Sequence, residues 1–156
     1  MPTPGFILAL REKIGHDLLF LPGVTAVVLD DASRVLLVRR ADNGRWTLVL
    51  GCLEPGEQPA AGAVREIWEE TGVKAVVDRI LRVQTMPEHV YPNGDHVQYF
   101  DVAFLCRPVG GEAVVNDDES TEVGWFALDE LPDISARERG LIADALGGRP
   151  EAAFDR

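Results

Sequence analysis

The chain has 156 residues, of which 46% are hydrophobic and 26% are charged, and its formal net charge is −11 at pH 7. The length is sufficient for one domain with its own core, and the composition excludes an intrinsically disordered chain. The acidic balance argues against a nucleic acid polymer as partner, because such polymers are bound by an excess of lysine and arginine.

The cysteine content and the apolar runs predict the compartment. Cys52 and Cys106 are too few to form a disulfide framework. The first apolar run, 6–10, is followed at once by charged residues, and no run reaches the roughly 20 residues of a membrane span. We therefore expect a single, reduced, cytoplasmic domain over residues 1–156 that has no membrane partner.

The first part of the chain combines helical and alternating apolar patterns. In order, the expected elements are a helix at about 4–15 and strands at 24–29, 35–38 and 46–50. Pro22-Gly23 predicts a break before the first strand. The turn residues 30–33 predict that the first two strands form a β-hairpin. The N-terminal helix is expected to cover the sheet or to contact a second copy of the chain in a homodimer.

The second part of the chain is again rich in strands. The expected elements are strands at 75–84, 96–106 and 123–126 and a helix at 135–146. Asn93-Gly94 predicts a hairpin turn, and the tail at about 149–156 is expected to be loose. Because strands outnumber helices and the long helices flank them, the sequence predicts an α/β fold with a mixed sheet between helices.

The stretch between these two parts predicts a helix with two different faces. Pro59 suits its first turn and Gly72 its C-cap. Because successive helical residues are rotated by 100°, the side chains of this helix form two groups that point in directions about 140° apart. One group is Ala60, Val64, Ile67 and Thr71, and the other is Gly62, Glu66, Glu69 and Glu70. The first is expected to face the core, and the second to form an acidic patch.

The acidic patch predicts a divalent cation. Glu66 and Glu70 stand at i and i+4, so their like charges destabilise the helix by a few tenths of a kcal/mol, and no lysine is interleaved to relieve this. Mg²⁺ binds through one or two carboxylates and leaves positions for water and phosphate oxygens. Gly62 is expected to let a pyrophosphate approach the helix, and Arg65 to reach Glu57 as a bidentate pair.

This stretch resembles the Nudix box, G-x5-E-x7-R-E-U-x-E-E-x-G-U, in which U is aliphatic. The matching residues are Gly51, Glu57, Arg65, Glu66, Ile67, Glu69, Glu70, Gly72 and Val73. The likeness continues outside the box in the strand at 35–40 with Trp46, and in the later Glu122, Trp125-Phe126 and Leu131-Pro132. The chain departs from the family pattern at Val49-Leu50, where relatives usually have proline-glycine, and at Cys52.

The resemblance implies a Nudix-type α/β/α sandwich whose catalytic loop and helix lie between strands. It also implies a pyrophosphohydrolase of MutT-like type that requires Mg²⁺ or Mn²⁺. The metal ligands it implies are the carbonyl of Gly51 and the carboxylates of Glu66, Glu69, Glu70 and Glu119. One of the three box glutamates would also act as the base or orient water, while Arg65 and Glu57 would hold the loop. Glu119 is preferred to Glu122 for the last ligand by its distance from Trp125.

The substrate is left between alternatives. A nucleoside diphosphate linked to another group, such as ADP-ribose or a nucleotide sugar, is the first, and Arg40 and Glu122 are its candidate contacts. Arg39-Arg40-Ala41-Asp42 is also similar to the branch that removes oxidised nucleoside triphosphates. Pro87 and Tyr91 are typical of different substrate subtypes of the family, so these two residues do not decide between the alternatives. An alternative of another class is a module that binds a nucleotide or a protein without turnover.

Overall fold

The computed structural model describes residues 3–156, and within them the chain forms three α-helices and nine β-strands. The helices are α1 (Gly5–Ile14), α2 (Pro59–Thr71) and α3 (Ala136–Leu146). The strands are β1 (Leu19–Val28), β2 (Val35–Arg40), β3 (Trp46–Thr47), β4 (Val49–Cys52), β5 (Val73–Thr85), β6 (His89–Val90), β7 (His96–Gly111), β8 (Ser120–Phe126) and β9 (Ala153–Phe154). None of the helices described is long and apolar enough to cross a bilayer.

The strands form two sheets. The larger has the order β4-β1-β7-β5-β9, and β6 pairs with β7. Within it β1 and β7 are parallel, as are β5 and β9, while the other pairs are antiparallel. The smaller sheet has the antiparallel order β3-β2-β8. This confirms the prediction of a mixed sheet.

Helices cover both sides of the sheets. Ile67 of α2 is fully buried in one core cluster with residues of β1, β2, β4, β5 and β7. Leu141 of α3 is buried in a second cluster with Val27 and Leu48. A third, smaller cluster joins Ile7 of α1 to Leu19 of β1 and Val97 of β7. The predicted α/β/α sandwich is therefore confirmed.

The predicted hairpin of the first two strands is wrong. β1 is paired on one edge with β4 and on the other with β7, so it has no free edge for β2. Within residues 3–156, the isolated bridge between Leu29 and Val35 is the one pairing that links the ends of these strands, after which β2 enters the smaller sheet. The predicted break at Pro22-Gly23 is also wrong, since β1 runs through both residues.

The single strand expected at 46–50 is divided between the two sheets. Trp46–Thr47 pairs with β2, whereas Val49–Cys52 pairs with β1. Leu48 lies between them, and its N–H donates to Oε1 of the buried Glu138, which also accepts from the Thr47 hydroxyl. A carboxylate from α3 thus fixes the point at which the chain changes sheets.

Two predictions for the later part of the chain differ in outcome. The Asn93-Gly94 turn does join an antiparallel pair, because His89 and Val90 of β6 pair with Val97 and His96 of β7. The tail, expected to be loose, contains β9, whose two residues pair with Arg82 and Val83 of β5.

Candidate active site

The acidic face of α2 is turned inward. Glu66 and Glu70 are 3% and 6% exposed, and Gly62 is also buried, whereas Ala60 is exposed. The prediction that Ala60 would face the core is therefore wrong, although Ile67 and Thr71 do so. The acidic face is buried because it packs against β4 and the loop that connects β4 to α2.

Gly51 explains how a glutamate is buried at this position. A Cβ built on Gly51 would lie 2.1 Å from Cδ and 2.3 Å from Oε1 of Glu66. The Glu66 side chain therefore occupies the space that any other residue at position 51 would fill. Gly51 belongs to β4 and pairs with Val24 of β1, so Val49 and Leu50 continue a regular strand into the glycine.

Gly62 has a different role from the one expected. Its missing side chain makes room for the loop, because a Cβ there would lie 2.3 Å from Cδ2 of Leu53 and 3.0 Å from Oε2 of Glu57. The expectation that Gly62 lets a pyrophosphate approach the helix is wrong, since the space is filled by protein. Gly62 instead lets the loop pack closely on α2.

Arg65 connects the loop to the helix. Its Nε and NH2 groups donate to the two carboxylate oxygens of Glu57, at 2.7 and 2.9 Å. Its NH1 group donates to Oε1 of Glu66 at 2.8 Å and to Oε2 of Glu69 at 3.0 Å. NH2 also donates to the Cys52 carbonyl at 3.2 Å. One guanidinium therefore fixes three of the carboxylates, and the pair between Arg65 and Glu57 has the bidentate form expected.

The two buried glutamates hold protons more tightly than ordinary carboxyls. Burial raises the pKa of Glu66 to about 7, with Glu69 and Glu119 adding to the effect against Arg65. Burial also raises the pKa of Glu70 to about 8, and the negative charge of Glu66 contributes. Both shifts arise because ionisation places negative charge in a poorly solvated, already acidic region.

The segment before β8 closes the site on the side of Glu70. The Ser120 hydroxyl lies 3.4 Å from Oε2 of Glu70, and the Asn116 N–H donates to the Glu70 carbonyl. The Glu119 carbonyl accepts from the Ala41 N–H at 2.8 Å. This contact brings Glu119 to the end of β2.

The donor set fits a hard divalent cation in its chemistry. Among residues 3–156 no group of three or more histidine, cysteine, aspartate and glutamate side chains is already arranged to hold a metal. Arg65 donates to one oxygen of Glu66 and to one oxygen of Glu69. However, Glu66 and Glu70 are buried carboxyls whose pKa is raised by burial and then by neighbouring carboxylates, and carboxylate oxygens are the ligands that Mg²⁺ and Mn²⁺ prefer.

A cavity of about 630 Å³ opens next to these carboxylates. Gly51, Glu66, Glu119 and Arg40 line it at this end. The guanidinium of Arg40 is held by Asp42 through two contacts, of 2.9 and 2.6 Å. Such a cavity has the size of a small-molecule site.

Glu122 is the predicted contact that the cavity does not include. It lies on β8 opposite Arg39 of β2, and Oε1 accepts from NH1 of Arg39 at 2.5 Å. Its side chain is 52% exposed, and it is not among the residues that line the cavity. The geometry therefore favours Glu119 over Glu122 as the last metal ligand. It does not support the substrate contact expected of Glu122.

Several cavity residues were not singled out by the sequence. Ile7 and Arg11 of α1 line the cavity, as does Asp101 of β7. No sequence motif marks them, because they meet only when α1 packs on the sheet. Tyr99 also lines the cavity. Its pKa is raised mainly by burial and to a smaller extent by the nearby Tyr91. Cys52 is in the wall as a thiol, since burial raises its pKa to about 11.

Comparisons with known proteins agree with this geometry. The family model described as the NUDIX domain matches residues 19–145. A protein of Streptomyces ambofaciens named MutT-like protein is 38% identical over 126 residues, which are 80% of this chain and 76% of that protein. A protein of Methanocaldococcus jannaschii named ADP-ribose pyrophosphatase is 33% identical over 142 residues, 88% of this chain and 81% of that protein.

A solved structure shows the same architecture. It is titled an ADP-ribose pyrophosphatase from Streptococcus suis, and the comparison covers 86% of this chain and 98% of that one. The TM-score is 0.68 at 25% sequence identity. Together with the complete box and the buried carboxylates, these matches show that the chain belongs to the NUDIX domain family and is a hydrolase that acts on phosphoanhydride bonds.

Proposed function

We propose that the protein hydrolyses the pyrophosphate bond of a nucleoside diphosphate linked to another group, of the ADP-ribose or nucleotide-sugar type. The observation that carries this proposal is the network of Arg65, which holds Glu57 and Glu69 together with Glu66, the member of the network that lines a ligand-sized cavity. A network of this kind fixes acidic groups in one arrangement before any substrate binds, which is how an enzyme limits reorganisation during reaction.

The residues that would hold Mg²⁺ or Mn²⁺ are Glu66, Glu69, Glu70, Glu119 and the carbonyl of Gly51. Glu66 and Glu119 line the cavity, and Glu70 is buried behind them. Bound there, a divalent ion supplies an activated water and offsets charge on the phosphate oxygens. Members of the family generally use divalent metal ions. The preference between magnesium and manganese is part of the proposal.

The protein's own groups have separable roles in this proposal. Arg65 positions Glu66 and Glu69, because its NH1 group contacts both of them. Glu57 positions Arg65 and thereby the loop after β4. Arg40 contributes positive charge to the cavity wall, where a phosphate would meet it; Asp42 orients its guanidinium. Glu70 is buried, and burial raises its pKa to about 8, so a bound cation would favour its ionised form.

The substrate class rests on similarity together with the shape of the cavity. The relative named ADP-ribose pyrophosphatase aligns with 88% of this chain. The cavity continues from the carboxylates as far as α1, so it has room for a group on the far side of the diphosphate. A nucleoside diphosphate derivative places one group on each side of its pyrophosphate, which suits a cavity that extends beyond the carboxylates.

A nucleoside triphosphate is the second candidate substrate. The segment 39–42, similar to that of enzymes that remove oxidised triphosphates, forms part of the cavity wall through Arg40, Ala41 and Asp42. A cationic side chain at this place would suit the additional phosphate of such a substrate.

A panel of nucleotides separates these candidates. The full chain is incubated with ADP-ribose, nucleotide sugars, dinucleoside polyphosphates, and ordinary and oxidised triphosphates, each with Mg²⁺ and with Mn²⁺. Phosphate, pyrophosphate and nucleoside monophosphate are detected separately. Release of AMP and ribose 5-phosphate from ADP-ribose, at the highest kcat/KM of the panel, is the expected result. Preferred release of pyrophosphate from a triphosphate would replace the first candidate by the second, and binding without any turnover would contradict both.

A further inference from the structure

The end of the cavity remote from the carboxylates is built partly by α1. Helix α1 covers residues 5–14 and so lies outside residues 19–145, which the family model matches. Nevertheless the cavity is lined by Ile7 and Arg11 of this helix and by Thr3 and Pro4 just before it. A segment outside the family domain thus contributes to the wall of the site.

Arg11 fixes α1 to the rest of the site through backbone carbonyls. Its NH1 group donates to Gly15 at 3.0 Å and to Asp17 at 2.6 Å, and NH2 donates to His96 at 2.7 Å. Its Nε lies 3.5 Å from Oδ1 of Asp95. The Arg11 side chain is only 11% exposed, and its contact to His96 is partly buried. Because NH1 and NH2 both donate to backbone carbonyls, while the buried Nε makes no hydrogen bond, we treat Arg11 as a positioning residue and not as a phosphate clamp.

Arg11 also determines where the turn between β6 and β7 lies. Asp95 is in that turn, and its carboxylate accepts from the Asn93 amide at 3.0 Å and contacts Nδ1 of His16 at 2.7 Å. Tyr91 begins the same turn, with its N–H bonded to the Asp95 carbonyl, and lines the cavity. The position of α1 and the position of Tyr91 are therefore coupled.

Across the cavity, β7 presents an aromatic ring and a held carboxylate. Gly23 of β1 lets both approach, because a Cβ there would lie 3.1 Å from Cδ1 of Tyr99 and 3.4 Å from Oδ1 of Asp101. Asp101 is 5% exposed and accepts from the Thr25 hydroxyl at 2.9 Å and from NH2 of Arg137 at 2.5 Å. A carboxylate can accept roughly four hydrogen bonds, so Asp101 retains accepting capacity toward the cavity.

The sheet register gives the separation of the two ends. Cys52 pairs with Gly23, and Gly23 pairs with Asp101, so the three are neighbours on consecutive strands. Two strand spacings place the backbone of Cys52, next to Gly51, about 10 Å from that of Asp101. A nucleoside attached to a diphosphate near Gly51 is long enough to span this distance and reach Asp101.

We propose that α1 and the turn it anchors complete a nucleoside subsite at this end of the cavity, in which Asp101 accepts a hydrogen bond from an O–H or N–H donor of the nucleoside. The inference rests on the proposed nucleotide substrate. Asp95 and Asp101 are paired with the guanidinium groups of Arg11 and Arg137, so the charges at this end are balanced and it suits an uncharged group. Tyr91 and Tyr99 supply aromatic surface, on which a base can pack.

Binding of nucleoside monophosphates to the isotopically labelled full chain tests the subsite without requiring turnover. The probe is AMP, followed by NMR titration, and dAMP and IMP distinguish a ribose hydroxyl from a base amino group as the donor to Asp101. We expect amide shifts at Tyr91, Gly94 and Asp101, and weaker binding of whichever analogue lacks the donor. Shift changes confined to the region of Gly51 and Glu66, or no AMP binding at all, would overturn the inference.

Variants of α1 provide the second arm. R11M removes the contacts to three carbonyls, and its matched control is K13M, at an exposed lysine of the same helix. T3W places a large side chain at the exposed edge of the cavity without altering the core, and its control is K13W. R11M and T3W are each expected to raise the Kd of AMP at least about tenfold, equivalent to 1.4 kcal/mol.

The outcomes separate the subsite from the proposed function. AMP affinity unchanged in both R11M and T3W would overturn the role of α1, even if the enzyme cleaves its substrates. Conversely, the subsite stands and the proposed reaction fails if AMP binds at Tyr91 and Asp101 but no nucleotide is hydrolysed. The melting temperature of T3W should equal that of the wild type, so that a loss of binding is not mistaken for unfolding.

Discussion

Two arginines organise the two ends of the cavity, and they do so with different partners. Arg65 holds side-chain carboxylates, namely those of Glu57, Glu66 and Glu69. Arg11 holds the backbone carbonyls of Gly15, Asp17 and His96. Both side chains are largely shielded from water, at 22% and 11% exposed. The end at Arg65 therefore concentrates charge, while the end at Arg11 fixes the shape of the wall.

The difference determines what each end can do. Around Arg65, burial and then the neighbouring carboxylates raise the pKa of Glu66 and Glu70, and this group of carboxylate oxygens favours a divalent cation. Around Arg11 the guanidinium is balanced by carbonyl dipoles and Asp95, so that end has no comparable demand for a cation. We assign chemistry to the first end and substrate selection to the second, and the following experiments test that division.

Substitution of a glutamate on α2 at the charged end should have the largest effect. Glu69→Gln and Glu70→Gln are each expected to lower kcat by several orders of magnitude while the fold is retained, because each removes a ligand charge without changing side-chain shape. Steady-state kinetics with the preferred substrate and circular dichroism measure the two quantities. Glu54→Gln, at an exposed position of the same loop, is the control. Wild-type turnover in either variant would remove these glutamates from the mechanism.

Gly51→Ala should have the next largest effect. The new Cβ would overlap Glu66, because it would lie 2.1 Å from Cδ of that side chain, so the glutamate must move. Displacement of a reacting group by about 1 Å is enough for a loss near 100-fold, which should be seen in kcat/KM. Gly140→Ala in α3 is the matched control, because a Cβ there has no atom within 4 Å. Equal activity of the two variants would contradict the assigned contact.

Arg65→Lys tests the bridging geometry itself. Lysine keeps the positive charge but cannot donate to Glu57 bidentately while also reaching Glu66 and Glu69. We expect kcat/KM to fall about 10- to 100-fold, as for other groups that orient ligands. Arg82→Lys is the control, since Arg82 donates through Nε and NH2 to Oδ2 of Asp144, and neither residue lines the cavity. A similar loss of activity in both variants would show that the effect is general destabilisation.

The smallest effect is expected in the pH dependence of stability without metal. The pKa of Glu70 rises on folding from 4.5 to about 8, so the folded state retains a proton that the unfolded chain has released. This contribution to stability is fully present below about pH 4.5 and is lost as the pH rises through about 8.

Thermal unfolding in EDTA between pH 6 and pH 9 measures the loss. The melting temperature of the wild type should fall more steeply than that of Glu70→Gln, by about 2–4 °C for each kcal/mol of difference. Added Mn²⁺ should stabilise the wild type more at pH 9 than at pH 6, because it competes with fewer protons. Parallel curves for the two proteins would show that Glu70 is ionised throughout this range.

The sequence predicts the charged end well because its information is local. Glu57, Arg65 and Glu66 lie within ten positions of one another, with Glu57 in the loop directly before α2 and the other two residues on the helix. The bidentate pair of Arg65 with Glu57 is expected from this short separation in sequence and is present. The inward orientation of Glu66 does not follow from it, since that orientation depends on Gly51, which reaches Glu66 from another element.

The other end of the cavity could not be predicted because its contacts are distant in sequence. Arg11 and His96 are 85 positions apart, and Arg137 and Asp101 are 36 apart. The hairpin error has a similar cause: β1 is occupied on both edges by β4 and β7, and neither pairing is visible in the residues 24–38. Local patterns therefore locate the elements, while the partners of each strand depend on the complete sheet.

Binding of Mn²⁺ to the wild type, Glu70→Gln and Glu54→Gln, followed by electron paramagnetic resonance at pH 8, tests the central claim most directly. The claim is that the buried acids beside Arg65 form a divalent cation site. We predict saturable binding to the wild type and to Glu54→Gln, and binding at least about tenfold weaker in Glu70→Gln. Equal affinity in all three proteins, or no binding to the wild type, would contradict the account.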